Sequence, residues 1–205
     1  MNLEEVFLDF LADGMEKEWL SRYQWYHDTS HLQLRAQMRP SEIVPWKSRS
    51  HKKAAEDNCW GIEVKAWRGN AIGVDLEFYK MRPLLTSNRK WMAHWLDLDC
   101  NSSPMELLEE WAAREAAFKC VSPLLPEEEL SMSDFVRTRG ILELKKTERL
   151  YQIETCFSWN GPWILALART PAFFYGGNHE KSSYHGYGGD FCHWERRAGV
   201  FQESL

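Results

Sequence analysis

Hydrophobic and polar positions alternate most cleanly in "NAIGVDLEFYK", residues 70–80. As a strand, this run puts Ile72, Val74, Leu76 and Phe78 on one face and Ala71, Gly73, Asp75 and Glu77 on the other. The first face is ready for burial; the second passes from two small residues to two carboxylates. "CWGIEVKAW", residues 59–67, alternates too, with Trp60, Ile62, Val64 and Ala66 together. "RGN" between the two runs predicts a hairpin.

Residues 3–28 predict a helix interrupted at Gly14, and residues 84–98 a second helix. Between them, 30–58 shows no dominant period, with Pro40 and Pro45 in a polar, basic stretch. In "NSSPMELLEEWAAREAAFKC", Ser103 is a good N-cap, Pro104 suits the first helical position and Glu106 completes a capping box. That helix is predicted to run to Cys120, where "VSP" stops it. Runs at 140–146 and 149–159, then "NG" at 160–161 and "PWILALART", predict a three-stranded antiparallel meander. From Pro171 the chain is rich in Gly and aromatic residues and has no clear period. The mixture reads as α+β.

A chain of 205 residues suits one domain or two small fused halves, and 44% hydrophobic residues with eleven tryptophans suffice for a proper core. A net charge of −5 provides no positive field for broad nucleic-acid or anionic-membrane binding. The acidic start "MNLEEVFLDF" does not read as a signal peptide, and no run approaches the ~18 apolar residues of a membrane span. Five scattered cysteines without CxxC point to reduced thiols, hence a cytoplasmic protein. His179, His185, Cys192 and His193 are irregularly spaced, and neighbouring Cys192 and His193 would both have to turn inward as zinc ligands. A tail wrapping the body is the expectation there.

Two charged features remain. Asp75 and Glu77 share a strand face; Trp111, Glu115 and Lys119 fall four apart on one helix stripe. Each alone is ordinary: the wet face of a sheet, and an ion pair worth ~0.2–0.5 kcal/mol. Together they suit a hard divalent cation, which wants converging carboxylates, with Lys119 one turn on to meet phosphate. Gly73 would let a ligand approach the backbone.

"GVDLE" at 73–77 followed by "WAAREAAFK" at 111–119 resembles the ordered signature of the 4'-phosphopantetheinyl transferase superfamily. That signature is (I/V)G(I/V)D(I/L)E, then W-x-x-(K/R)-E-A-x-x-K about forty residues later; here Glu77 and Glu115 stand 38 positions apart. "SRSHKK" at 48–53 is similar to the S-x-S-H segment that often precedes the first motif, with Arg49 where the family usually carries a small or apolar residue. The resemblance implies transfer of the 4'-phosphopantetheine arm of coenzyme A to a serine of an acyl or peptidyl carrier protein, releasing 3',5'-ADP. It implies Asp75, Glu77 and Glu115 as Mg²⁺ ligands and Lys119 on the pyrophosphate. Glu115, or a metal-bound water beside it, would be the base for the carrier serine. His51, Lys52 and Arg49 become the coenzyme contacts, Trp111 a packing anchor, and Arg114 a residue facing away from the metal.

The implied architecture is two similar α+β halves in one monomeric chain, each a small antiparallel sheet on a helix, with the site in the cleft between them. The divisions expected are 1–69, 70–170 and a tail at 171–205. Carrier docking is expected around Arg137, Arg139, Lys145, Lys146 and Arg149. The competing functions are a relative that binds carrier protein without transfer and another Mg²⁺-dependent phosphate enzyme. The latter lacks a Walker-type glycine loop.

Overall fold

The computed structural model describes residues 2–39, 42–55, 58–67, 69–79, 88–138, 140–145 and 151–171. The tail, with His179, His185, Cys192 and His193, lies outside the described residues, as do Arg139, Lys146 and Arg149. The architecture is mixed α+β with two antiparallel sheets.

Two short helices, α1 (Leu3–Val6) and α2 (Leu8–Glu16), open the chain, and Asn2 caps the first through its side chain. The predicted helix over 3–28 ends there. Glu18 adopts φ 58°, and Leu20–Asp28 is a strand, β1. Local pattern lost to tertiary pairing, because Tyr23 and Trp25 pack on the core while Tyr26 turns against Leu34 and Met38. The segment without a clear period holds α3 (His31–Gln37), N-capped by Ser30, and strand β2 (Lys47–Ala55).

Strands β3 (Asn58–Ala66) and β4 (Asn70–Phe78) stand where the alternation predicted, but they do not form a hairpin. Both edges of β3 are occupied, giving a three-stranded sheet in the order β1-β3-β2. Strand β4 starts the second sheet by pairing with β8 (Trp163–Pro171). Next come β7 (Tyr151–Asn160), β6 (Ile141–Leu144) and β5 (Phe135–Thr138), in the order β4-β8-β7-β6-β5. The predicted meander is thus the centre of a five-stranded sheet, and Gly161 (φ 54°) allows the β7–β8 turn. The helix predicted over 84–98 is α4 (Arg89–Trp95), and residues 84–87 fall outside the described set.

Helix α5 (Pro104–Val121) begins with both bonds of the capping box: Glu106 N–H donates to Ser103 Oγ (3.2 Å) and Ser103 N–H to Glu106 Oε2 (2.7 Å). It crosses the face of the second sheet that carries Ala71, Ala166 and Ala168. The opposite face, with Ile72, Val74, Leu76, Leu165 and Leu167, shares one core with the first sheet and the N-terminal helices. The β4 alternation therefore reads both faces correctly. Gly73 serves the helix rather than a ligand, since a Cβ there would stand 1.8 Å from Ala116 O and 2.7 Å from Cys120 N.

Candidate metal and phosphate site

The outer edge of β4 is covered by side chains of β2. Val74 N–H donates to Ser48 Oγ and Leu76 N–H to Ser50 Oγ, each at 3.0 Å, while Ile72 N–H donates to Pro45 O (2.9 Å). Both serines are buried. Period-two spacing on both strands brings alternate hydroxyls to alternate amides. Ser50 Oγ also donates to Asp75 Oδ1 (3.0 Å) and accepts from Lys119 Nζ (3.3 Å). One hydroxyl thereby joins β2, β4 and α5.

Asp75, Glu77 and Glu115 converge, each offering a carboxylate oxygen within 4.8 Å of the others. Asp75 and Glu77 are 1% and 0% exposed, so they do not form a wet sheet face. Lys119 Nζ reaches Asp75 Oδ1 (2.8 Å) and Glu115 Oε1 (3.1 Å), and Lys52 Nζ reaches Glu77 Oε2 (2.5 Å). With all groups ionised, three carboxylates face two ammonium groups, leaving one net negative charge. Asp75 Oδ2 is buried and has no hydrogen-bond partner among the described residues. An orphaned carboxylate oxygen in a group of three acids is a donor set fit for a hard cation.

Burial pushes the Asp75 carboxyl up to about 7; Lys119 opposes that shift, whereas Glu115 and Glu77 reinforce it. Burial alone would lower the Lys119 ammonium, but Asp75 and Glu115 outweigh it and hold that group above the ordinary lysine value. Beside this cluster, Glu115, Phe118, Lys119, Leu130, Ser131 and Met132 line an open cleft of about 350 Å³.

No family model matches the chain, and no curated protein shows significant similarity to it. The resemblance therefore rests on the short motifs alone.

The fold divides the expected coenzyme set by strand alternation. Lys52 turns toward Glu77 with Ser48 and Ser50, while Arg49 and Lys47 pair with Glu63 on β3 at 2.5 and 3.1 Å. His51 stacks on His31 of α3, with ring centroids 5.0 Å apart. His31 was not legible in advance, because only the folded β2 brings it to His51. Arg35, one turn further along α3, lies close enough to lower both imidazoles. Arg114 is buried away from the acids, donating to Glu110 Oε1 (2.8 Å) and Leu96 O (2.5 Å). Arg137 is engaged by the same Glu110 (2.7 Å), by Gly140 O and by Thr155 Oγ1, whereas Lys145 is exposed.

Burial first, then the charges of His31, Arg35, Lys119 and Lys52, lower His51 to about 4 from its ordinary 6.5. The imidazole is neutral at pH 7. Its folded value lies below its unfolded one, so the unfolded chain binds the proton first as pH falls. His51 therefore contributes stability that is present above pH 6.5 and lost between 6.5 and about 4. Thermal melting of wild type and His51→Asn across that window should show a shallower acid decline in the variant. Parallel curves would refute the half-buried neutral state.

Proposed function

We propose that this chain is a Mg²⁺-dependent 4'-phosphopantetheinyl transferase of the single-chain, two-half kind, acting on coenzyme A and an acyl or peptidyl carrier protein. The observation that carries the proposal is the convergence of Asp75, Glu77 and Glu115, from two motifs far apart in sequence, around the Lys119 ammonium. Charge supports it. A divalent cation would turn the cluster from one net negative charge to one net positive charge, which a phosphate then balances. The contact of the two sheets along β2 and β4 is compatible with the two halves which that fold would have.

Asp75, Glu77 and Glu115 would hold Mg²⁺, which when bound neutralises charge on the pyrophosphate. The remaining work falls to the chain itself. Glu115, the most exposed of the three acids (27%), or a water beside it, would take the proton from the carrier serine hydroxyl as its oxygen bonds to phosphorus. The bridging P–O bond breaks, and 3',5'-ADP departs with the electron pair, its charge met by Lys119. Arg35 and Lys53, beside His31 and the neutral His51, would form the margin for the 3'-phosphate.

Mixing the protein with coenzyme A, Mg²⁺ and an apo carrier should add one phosphopantetheine to the carrier, read by mass, and none to a carrier lacking the serine. An unmodified carrier that co-purifies with the protein would favour the binding relative instead. Arg35 and Lys53 supply the positive charge beside neutral His51, so dephospho-coenzyme A should bind about tenfold more weakly than coenzyme A. Arg35→Ala should erase most of that difference in a calorimetric titration. Equal affinities in wild type would remove the 3'-phosphate from this margin.

A further inference from the structure

Glu115 differs from its two partners. Asp75 and Glu77 have side chains 2% and 0% exposed, whereas Glu115 is 27% exposed and sits at the end of a longer, rotatable side chain on a helix. Both of its oxygens are nevertheless engaged along one helical stripe. Lys119, one turn after it, holds Oε1 at 3.1 Å, and Trp111, one turn before it, donates its indole Nε1–H to Oε2 at 3.0 Å. Side chains on a helix lean toward its N-terminus, so Glu115 is directed onto Trp111.

The indole is itself held. Its ring packs on Trp95 of α4 with centroids 5.7 Å apart, and Trp95 stacks on Trp91 at 6.2 Å with planes 10° apart. Trp111 and Trp95 both pack against the core under α5. A wide aromatic ring clamped in this way presents its single N–H donor in a fixed direction.

We infer that Trp111 is a positioning residue: its indole N–H locks the Glu115 carboxylate in the rotamer that meets Asp75 and Glu77, and so prepares the cation site. This rests on the metal reading proposed above. It assigns Trp111 a polar task beyond packing, one that phenylalanine cannot perform.

Mn²⁺ alone serves as the probe, titrated into the full chain with free Mn²⁺ followed by electron paramagnetic resonance. A hydrogen bond to a charged group corresponds to roughly a tenfold change in affinity, so Trp111→Phe should bind Mn²⁺ about tenfold more weakly than wild type. In ¹⁵N spectra the Trp111 indole N–H signal, identified by its loss in Trp111→Phe or by its response to Glu115→Ala, should also move when Mg²⁺ is added. A purely structural tryptophan would not respond in this way.

Wild type that binds Mn²⁺, with an equally tight Trp111→Phe, overturns the inference and leaves the metal site standing. Wild type that binds no Mn²⁺ overturns the metal reading and the inference together. If Trp111→Phe fails to fold, Glu115→Ala decides: indole signals all unchanged by that substitution overturn the inference.

Discussion

Asp75→Asn should lower the proposed Mg²⁺-dependent transfer by about a thousandfold or more, because loss of a ligand to the proposed cation would forfeit several kcal/mol of charge stabilisation. The same substitution should not weaken the fold. Ionised Asp75 is unfavourable where it sits: burial lifts its carboxyl from 3.8 to about 7, with Glu115 and Glu77 adding to the shift. Its folded value is thus above its unfolded one. The associated stability is present below pH 3.8 and lost as pH rises to about 7. Asparagine suffers no such loss, and its Oδ1 can still accept from Ser50 and Lys119, the bonds that Asp75 Oδ1 makes. At pH 8 without cation, the variant should melt close to the wild-type temperature, the lost Asp75–Lys119 attraction offsetting the relieved burial of charge. Near wild-type turnover, or a much lower melting point, would contradict the assignment of Asp75.

Gly73→Ala should have the opposite character, a large loss of stability wherever it is measured. The new Cβ would lie 1.8 Å from Ala116 O and 2.7 Å from Cys120 N, both backbone atoms of α5. No side-chain rotation relieves such a contact, so β4 and α5 must separate. We expect a cost of about 3 kcal/mol, the upper end of ordinary overpacking, from urea unfolding. Gly14→Ala is the control. Its Cβ would meet Leu20 Cδ1 at 3.3 Å, the tip of a flexible side chain, and the change should stay within about 1 kcal/mol. Equal effects at the two glycines would show that α5 does not seat on β4 as closely as described.

What the sequence revealed of this site followed strand and helix periods. Alternation separated Asp75 and Glu77 from Ile72, Val74 and Leu76, and spacing of four aligned Trp111, Glu115 and Lys119. Their convergence required β4 to lie under α5, and Gly73 is the residue that lets the helix settle there. Other features were out of reach for physical reasons. Strand β1 carries a helix-compatible pattern and is extended because β3 pairs with it. The β3–β4 hairpin failed because β1 and β2 compete for both edges of β3. Had β2 been recognised as a strand, its own alternation would have separated Lys52 from His51. His31 and Arg35 could not have been joined to them, since the α3–β2 contact is purely tertiary.

The serine hydroxyls along β4 have one further consequence. Among the described residues neither sheet is continued into the other by a backbone ladder; Ser48, Ser50 and a single bond from Ile72 N–H to Pro45 O close a seam instead. Such bonds contribute only about 1 kcal/mol each, far less than a shared strand. Each sheet keeps its own strand pairs on either side of that seam, while the Lys52–Glu77 ion pair and the shared apolar core also bridge it. Ser50 and Lys52 stand on one lip of it, Asp75 and Glu77 on the other. The spacing across the site is thus set by side-chain bonds and core packing along this line, whereas the spacing within each sheet is set by strand ladders.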